Sequence, residues 1–147
     1  MSDNIATNKD VIRTFFELLS QEKYDQAFAL QDPASLVHLQ SPRQSIPATD
    51  WHAVYQKLMD SMLPGGVQFQ VDYLTAEDDR VSAITRGSGR IHGEDRYENH
   101  YCWLFHLRDG VIVEIHEFMD TLYANQMLNT AGWIGRREPK RSEAGTP

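Results

Sequence analysis

Residues 97–120 read Y-E-N-H-Y-C-W-L-F-H-L-R-D-G-V-I-V-E-I-H-E-F-M-D, and this stretch decides the fold. Two runs rich in aromatic and β-branched residues flank Arg108-Asp109-Gly110. That pattern predicts a β-hairpin, with Gly110 in the left-handed conformation that closes a three-residue loop. Such a loop pairs Leu107 with Val111, Phe105 with Val113, Trp103 with Ile115, and Tyr101 with Glu117. Side chains alternate across a strand. Asn99, Tyr101, Trp103, Phe105, Val113, Ile115, Glu117 and Met119 then share one face. His100, Cys102, Leu104, His106, Ile112, Glu114, His116 and Phe118 share the other. The first face is mostly apolar and carries one carboxylate, Glu117. A carboxylate among aromatics is either paired or has a raised pKa.

Working outward, the chain before the hairpin reads as helices and strands. Asn8 is placed to cap a helix from Lys9 to about Gln21, in which Val11, Ile12, Phe15, Phe16, Leu18 and Leu19 recur at helical spacing. Met1 to Thr7 is polar and reads as loose. A short second helix covers Asp25 to Leu30, and Asp32-Pro33 breaks it. Ser35 to Gln40 is strand-like. Ser41 to Ala48 contains two prolines and reads as a loop. Thr49 or Asp50 caps a third helix carrying Trp51, Val54, Tyr55, Leu58, Met59 and Met62, which Leu63-Pro64-Gly65-Gly66 ends. Val67 to Leu74 alternates, with Val67, Phe69, Val71 and Tyr73 on one face. Arg80 to Ile91 is a strand whose Gly87 and Gly89 suggest a bulge or bend. After the hairpin, Thr121 to Asn129 reads as a last helix and 132–147 as a charged tail. Helices set apart from sequential antiparallel strands predict one α+β domain over 1–147, with a core at about 8–128. A curved antiparallel sheet wrapped by three N-terminal helices makes a cone with an internal pocket.

Composition bounds the function. The formal net charge of −7 argues against non-specific binding to nucleic acid or an anionic membrane. The lone cysteine, Cys102, excludes an internal disulfide framework and suits a reducing, cytoplasmic compartment. The first ten residues lack the apolar core of a signal peptide. His100, His106 and His116 share a face with Glu114 and Cys102. No zinc spacing is present, so no metal and no cofactor is expected, and this outer face is read as a homodimer contact.

The element order and the ending D-G-x-I-x-x-x-x-E-F-M-D resemble the nuclear transport factor 2-like, or cystatin-like α+β, superfamily. The resemblance covers about Asn8 to Leu128. Within it the chain is similar to SnoaL-like polyketide cyclases. It is also similar to the phenazine-biosynthesis A/B proteins, at Tyr97 to Tyr101, Asp109-Gly110 and Glu117 to Met119. That similarity implies an acid/base role for Glu117 in a pocket, and supports an inward facing for Asn99, Tyr101 and Trp103. Limonene-epoxide-hydrolase-like enzymes also place a carboxylate here, but their Arg-x-Asp is replaced by R-G-S at 86–88. The tyrosine and aspartate of steroid isomerases fall on Phe15 and Trp103, and their general base falls near His38. The third-helix histidine of the phenazine-type proteins matches His52 locally, whereas counting back from Pro64 favours Tyr55.

The resulting expectation is a cofactor-independent isomerase, cyclase or dehydratase acting on a small hydrophobic, oxygenated molecule of secondary metabolism. Glu117 moves the proton, with His38 or His52 as partner. Asn99, Tyr101, Trp103, Tyr55, Ile115 and Met119 hold the substrate. The alternatives are a non-catalytic binding or dimerisation module and an epoxide hydrolase.

Overall fold

The computed structural model describes residues 2–40 and 43–128. The elements run α1 (Ser2–Ser20), α2 (Tyr24–Phe28), β1 (Gln31–Gln40), β2 (Arg43–Pro47), α3 (Ala48–Met62), β3 (Gln68–Glu77), β4 (Arg80–Ile91), β5 (Asp95–Arg108), β6 (Val111–Met119) and α4 (Thr121–Leu128). Six strands form one sheet in the order β2-β1-β6-β5-β4-β3. The architecture is the expected α+β, with helices packed on one face of a curved sheet. One pairing departs from the antiparallel expectation: β1 and β6 run parallel. The expected tail at 132–147 lies outside the described residues. Among those described, no helix is long and apolar enough to cross a membrane.

The aromatic periodicity of α1 builds the core. Phe15 and Phe16 are almost wholly buried. Phe16 meets Phe69, Trp103 and Phe105 at centroid distances of 5.3, 5.5 and 5.8 Å. Such ring pairs contribute about 0.5–1.5 kcal/mol each beyond their buried area. The helix begins before Asn8, which is buried within it rather than capping it. Residues 2–7 contain neither Gly nor Pro, so nothing in them stops the helix. Pro42 and Pro47 disguised β2, which pairs only with β1 at the sheet edge, where proline is tolerated. Pro33 lies inside β1, where the register against β6 shifts between Gln31 and Leu36.

The hairpin forms, but with a different turn. Asp109 and Gly110 both have positive φ, 50° and 76°, so two residues close it and Arg108 faces Val111. Leu107 therefore pairs with Ile112, which is fully buried instead of outward. Left undisturbed, that register would turn Glu117 to the outside. A bulge intervenes: His106 pairs with Glu114, leaving Val113 as the extra residue. Parity is restored, Trp103 pairs with Glu117, and Ile115 and Glu117 face the core.

A second bulge lies in β3, not at the glycines of β4. The register shifts between Val71 and Tyr73, which leaves Tyr73 70% exposed rather than inward. Asp72 at this bulge accepts two hydrogen bonds from Arg86, each 2.9 Å. The glycines of β4 serve close packing. A Cβ at Gly87 would stand 2.9 Å from both Tyr101 Cε2 and Val67 Cγ1, and one at Gly89 would stand 2.8 Å from the Gly66 carbonyl oxygen.

Candidate active site

Between α3 and the inner sheet face lies a cavity whose lining comes from nearly every layer. Helix α3 supplies Trp51, Val54, Tyr55, Leu58 and Met59. The sheet supplies Leu39, Phe69, Tyr97, Tyr101, Trp103, Glu117 and Met119. Leu63 and Val67 flank the start of β3, and Leu128 closes from α4. The cavity volume is about 80 Å³, enough to admit water.

Glu117 is the one carboxylate in this lining, and its residue is 8% exposed. Among the described residues no hydrogen bond or ion pair reaches its carboxyl group. Burial alone pushes its pKa from 4.5 up to about 8. Near neutral pH the group is therefore mostly the neutral acid, because a charge in an apolar site lacks the solvation water would give.

Three tyrosines share the cavity. Tyr97 Oη and Tyr101 Oη are 2.9 Å apart, and Asn99 Nδ2 donates to Tyr97 Oη at 3.2 Å. Among the described residues, Tyr55 Oη is buried with no hydrogen-bond partner. Burial raises the Tyr55 and Tyr101 pKa values well above the ordinary range. The negative charge of Glu117 adds to the rise in both, which places them within its electrostatic reach. All three hydroxyls stay protonated; Tyr55 can donate to a ligand oxygen, and so can whichever of Tyr97 and Tyr101 accepts in their mutual hydrogen bond.

The structure sorts the expected site residues. Glu117, Tyr101, Trp103, Tyr55 and Met119 line the one cavity. Asn99 does not line it. Its Nδ2 also donates to the Asp120 carbonyl at 3.2 Å, and its Oδ1 accepts from the His100 amide at 2.8 Å, so it stands behind Tyr97. Trp103 contributes ring surface only, because its Nε1 donates to Thr85 Oγ1 at 3.1 Å. Ile115 is fully buried and lies outside the lining.

Both candidate histidine partners of Glu117 are displaced. His38 is on the outer sheet face, because Val37 and Leu39 on either side of it in β1 are buried and side chains alternate along the strand. Its contacts are Ser45, Glu114 and His116. His52 lies on the flank of α3, stacked 4.0 Å from Phe28, with Nε2 2.8 Å from Gln31 Oε1. Burial lowers its pKa to about 4, so it is neutral near pH 7. Tyr55, one turn on, is the α3 residue that reaches the cavity. Tyr97 escaped notice in the sequence, although it has the same strand parity as Asn99 and Tyr101.

A family model of the SnoaL-like domain matches residues 12–115. The chain belongs to the SnoaL-like domain family. The match stops just before Glu117, so membership rests on the scaffold and leaves that residue's role open. Solved structures share the scaffold of this SnoaL-like chain. AclR, a proposed hydroxylase from Streptomyces galilaeus, is 16% identical with a TM-score of 0.74, over 85% of this chain and 97% of that one. IdmH, a proposed polyketide cyclase from Streptomyces antibioticus, is 19% identical with a TM-score of 0.70, over 85% and 98%. An epoxide hydrolase of the LEH-like type from M. tuberculosis is 16% identical with a TM-score of 0.70, over 86% and 92%. Proteins of the NTF2-like and ketosteroid isomerase-like fold share this architecture as well, at TM-scores of 0.71 and 0.68. No curated protein matches it.

Proposed function

We propose that this SnoaL-like protein is an acid/base enzyme that moves a proton on a small, hydrophobic, oxygenated molecule without a cofactor. The observation that carries this reading is the Glu117 carboxyl group, unpaired among the described residues, inside a cavity otherwise lined by apolar and phenolic side chains. A general acid or base is most effective when its pKa lies near the working pH. Desolvation moves Glu117 into that range. In the proposed step, ionised Glu117 removes a proton from a carbon next to a substrate carbonyl. The electron pair moves onto the carbonyl oxygen, and the Tyr101 or Tyr55 hydroxyl donates a hydrogen bond to the developing enolate. Glu117 then returns the proton at another atom, or the enolate carbon attacks a second carbonyl carbon of the same molecule, whose π electron pair moves onto its own oxygen and takes the proton from Glu117. The first outcome is isomerisation and the second is ring closure.

Epoxide opening fits less well. The Arg-x-Asp of the limonene-epoxide-hydrolase-like enzymes is replaced here by R-G-S at 86–88, which leaves Glu117 the one carboxyl group in the described lining. The test is a screen of small enolisable ketones in deuterated water and in ¹⁸O-labelled water, with wild type and Glu117→Gln. The proposal expects enzyme-dependent deuterium exchange in the wild type, its loss in the variant, and no ¹⁸O in product beyond the uncatalysed level. If Glu117→Gln exchanges as fast as wild type, the acid/base reading fails.

A further inference from the structure

The outer face of the sheet holds a second cluster, independent of the cavity. In the parallel pairing of β1 and β6, His38 lies opposite His116. Glu114 precedes His116 by two residues and so shares its face. On the other side of β6, the antiparallel register sets His106 against Glu114. Four groups from three strands therefore converge. His38 Nε2 and His116 Nε2 each lie 2.9 Å from the same oxygen, Glu114 Oε1. The two imidazole rings stack at 4.3 Å and 20°. His106 Nδ1 stands 3.7 Å from Glu114 Oε2.

The side chains of His38, Glu114 and His116 are 25%, 36% and 33% exposed, so the cluster is ordered by its neighbours yet open to solvent.

We propose that His38 Nε2, Glu114 and His116 Nε2 form a surface site for one divalent transition ion of the zinc class. One ligand atom from each of the three residues lies within 4.8 Å of the others. Two imidazole nitrogens and a carboxylate oxygen are a donor set that suits zinc, whose bonds to such ligands run about 2.0–2.2 Å. Ligands on a tetrahedral zinc stand about 3.3 Å apart by that geometry. The 2.9 Å separations between Glu114 Oε1 and each Nε2 are a few tenths of an ångström short of that, and the two Nε2 atoms lie within 4.8 Å of each other.

The outer shell is also in place. His38 Nδ1 lies 2.6 Å from Ser45 Oγ. Without metal, an anionic Glu114 oxygen only accepts, so both facing Nε2 atoms carry protons and Ser45 donates to His38 Nδ1. On metal binding, the proton of each histidine moves from Nε2 to Nδ1, and Ser45 Oγ becomes the acceptor at His38. A ligand histidine fixed through its other nitrogen is the usual support of such sites. The sequence hid this site. Its ligands are a histidine from the first strand and an E-x-H pair from the last, and no local spacing joins them.

The test is titration of the chelator-treated full chain with zinc against a competing chromophoric chelator, followed by cobalt substitution. The proposal expects one equivalent of zinc, tetrahedral cobalt absorption bands, and a dissociation constant raised about 100-fold or more in His116→Asn. Ser45→Ala, which keeps all three ligands, is expected to weaken binding about 10-fold. His92→Ala and Cys102→Ser are expected to bind as wild type does. The proposal is overturned if wild type shows no stoichiometric zinc. It is equally overturned if a folded His116→Asn retains wild-type affinity, or if His92 or Cys102 proves essential.

Discussion

Replacing Glu117 with glutamine removes the charge from the cavity while keeping nearly the same shape, and the structure gives the size of the effect. In the native state the carboxyl pKa is raised from 4.5 to about 8. Between those two values the unfolded chain has released the proton and the folded chain still holds it. Stability then falls as pH rises, by about 1.4 kcal/mol per pH unit. The contribution is fully present below about 4.5 and is lost as pH rises through about 8. Across the whole interval the loss is on the order of 5 kcal/mol, a large fraction of the ~5–15 kcal/mol that holds a typical domain together. The amide of Glu117→Gln has no such titration. Urea unfolding of both proteins at a series of pH values from about 5 to about 8.5 supplies the assay. The stability of Glu117→Gln minus that of wild type is expected to rise by several kcal/mol over this range, because most other titrations cancel in the difference. If the difference stays constant within about 0.5 kcal/mol, Glu117 is ionised and solvated in the native state, and the reasoning about the cavity is wrong.

Other consequences can be measured alongside. His52 has the opposite sign: burial lowers its pKa from 6.5 to about 4, so its contribution is present above the unfolded value and is lost as pH falls through the folded one. His52→Gln should therefore flatten the acid side of the stability curve, as read by thermal unfolding between those pH values. Gly87→Ala drives a methyl group into Tyr101 and Val67 at 2.9 Å, and should cost about 1–3 kcal/mol by urea unfolding. Its effect should extend to the near-ultraviolet circular dichroism of the tyrosines. Trp103→Phe strands the buried Thr85 hydroxyl that now accepts from Nε1, a loss of about 1–3 kcal/mol before any cavity cost. Adding Thr85→Val should recover part of it, the sign of a coupled pair in a double-mutant cycle.

The fold was legible where periodicity was strong. The aromatic spacing of α1 and the alternation of β5 needed no tertiary information. The hairpin shows the limit. Its turn has two residues rather than three, an error that by itself would have turned Glu117 outward. The bulge at Val113 adds one residue to β6 and reverses the parity again, so the inward facing of Glu117 came out right through two compensating departures. A bulge carries little local signal when every neighbour is β-branched, and Ile112-Val113 gives none. The β3 bulge at Asp72 was missed for the same reason, since V-D-Y alternates as well as any strand.

The site was partly legible. Tyr101, Trp103 and Met119 follow from strand parity, and Tyr55 follows from helix periodicity. His38 was misplaced because an isolated S-L-V-H-L-Q strand has two plausible faces, and only the packing of Val37 and Leu39 chooses between them. His52 falls beside the apolar stripe of α3 that carries Tyr55, and its local match to a family histidine drew attention away from that periodicity. The same misplacement of His38 concealed its meeting with Glu114 and His116. That meeting depends on the parallel pairing of β1 with β6, a contact between residues far apart in the chain.

The central claim is that Glu117 moves a proton in the cavity. The most direct measurement is the pH dependence of deuterium exchange into an accepted ketone, compared between wild type and Glu117→Gln. The account predicts a wild-type rate that rises with ionisation of one group near pH 8 and then levels, and a rate lower by about 10²–10⁴ in the variant. A variant that exchanges at the wild-type rate with an unchanged pH profile would contradict it.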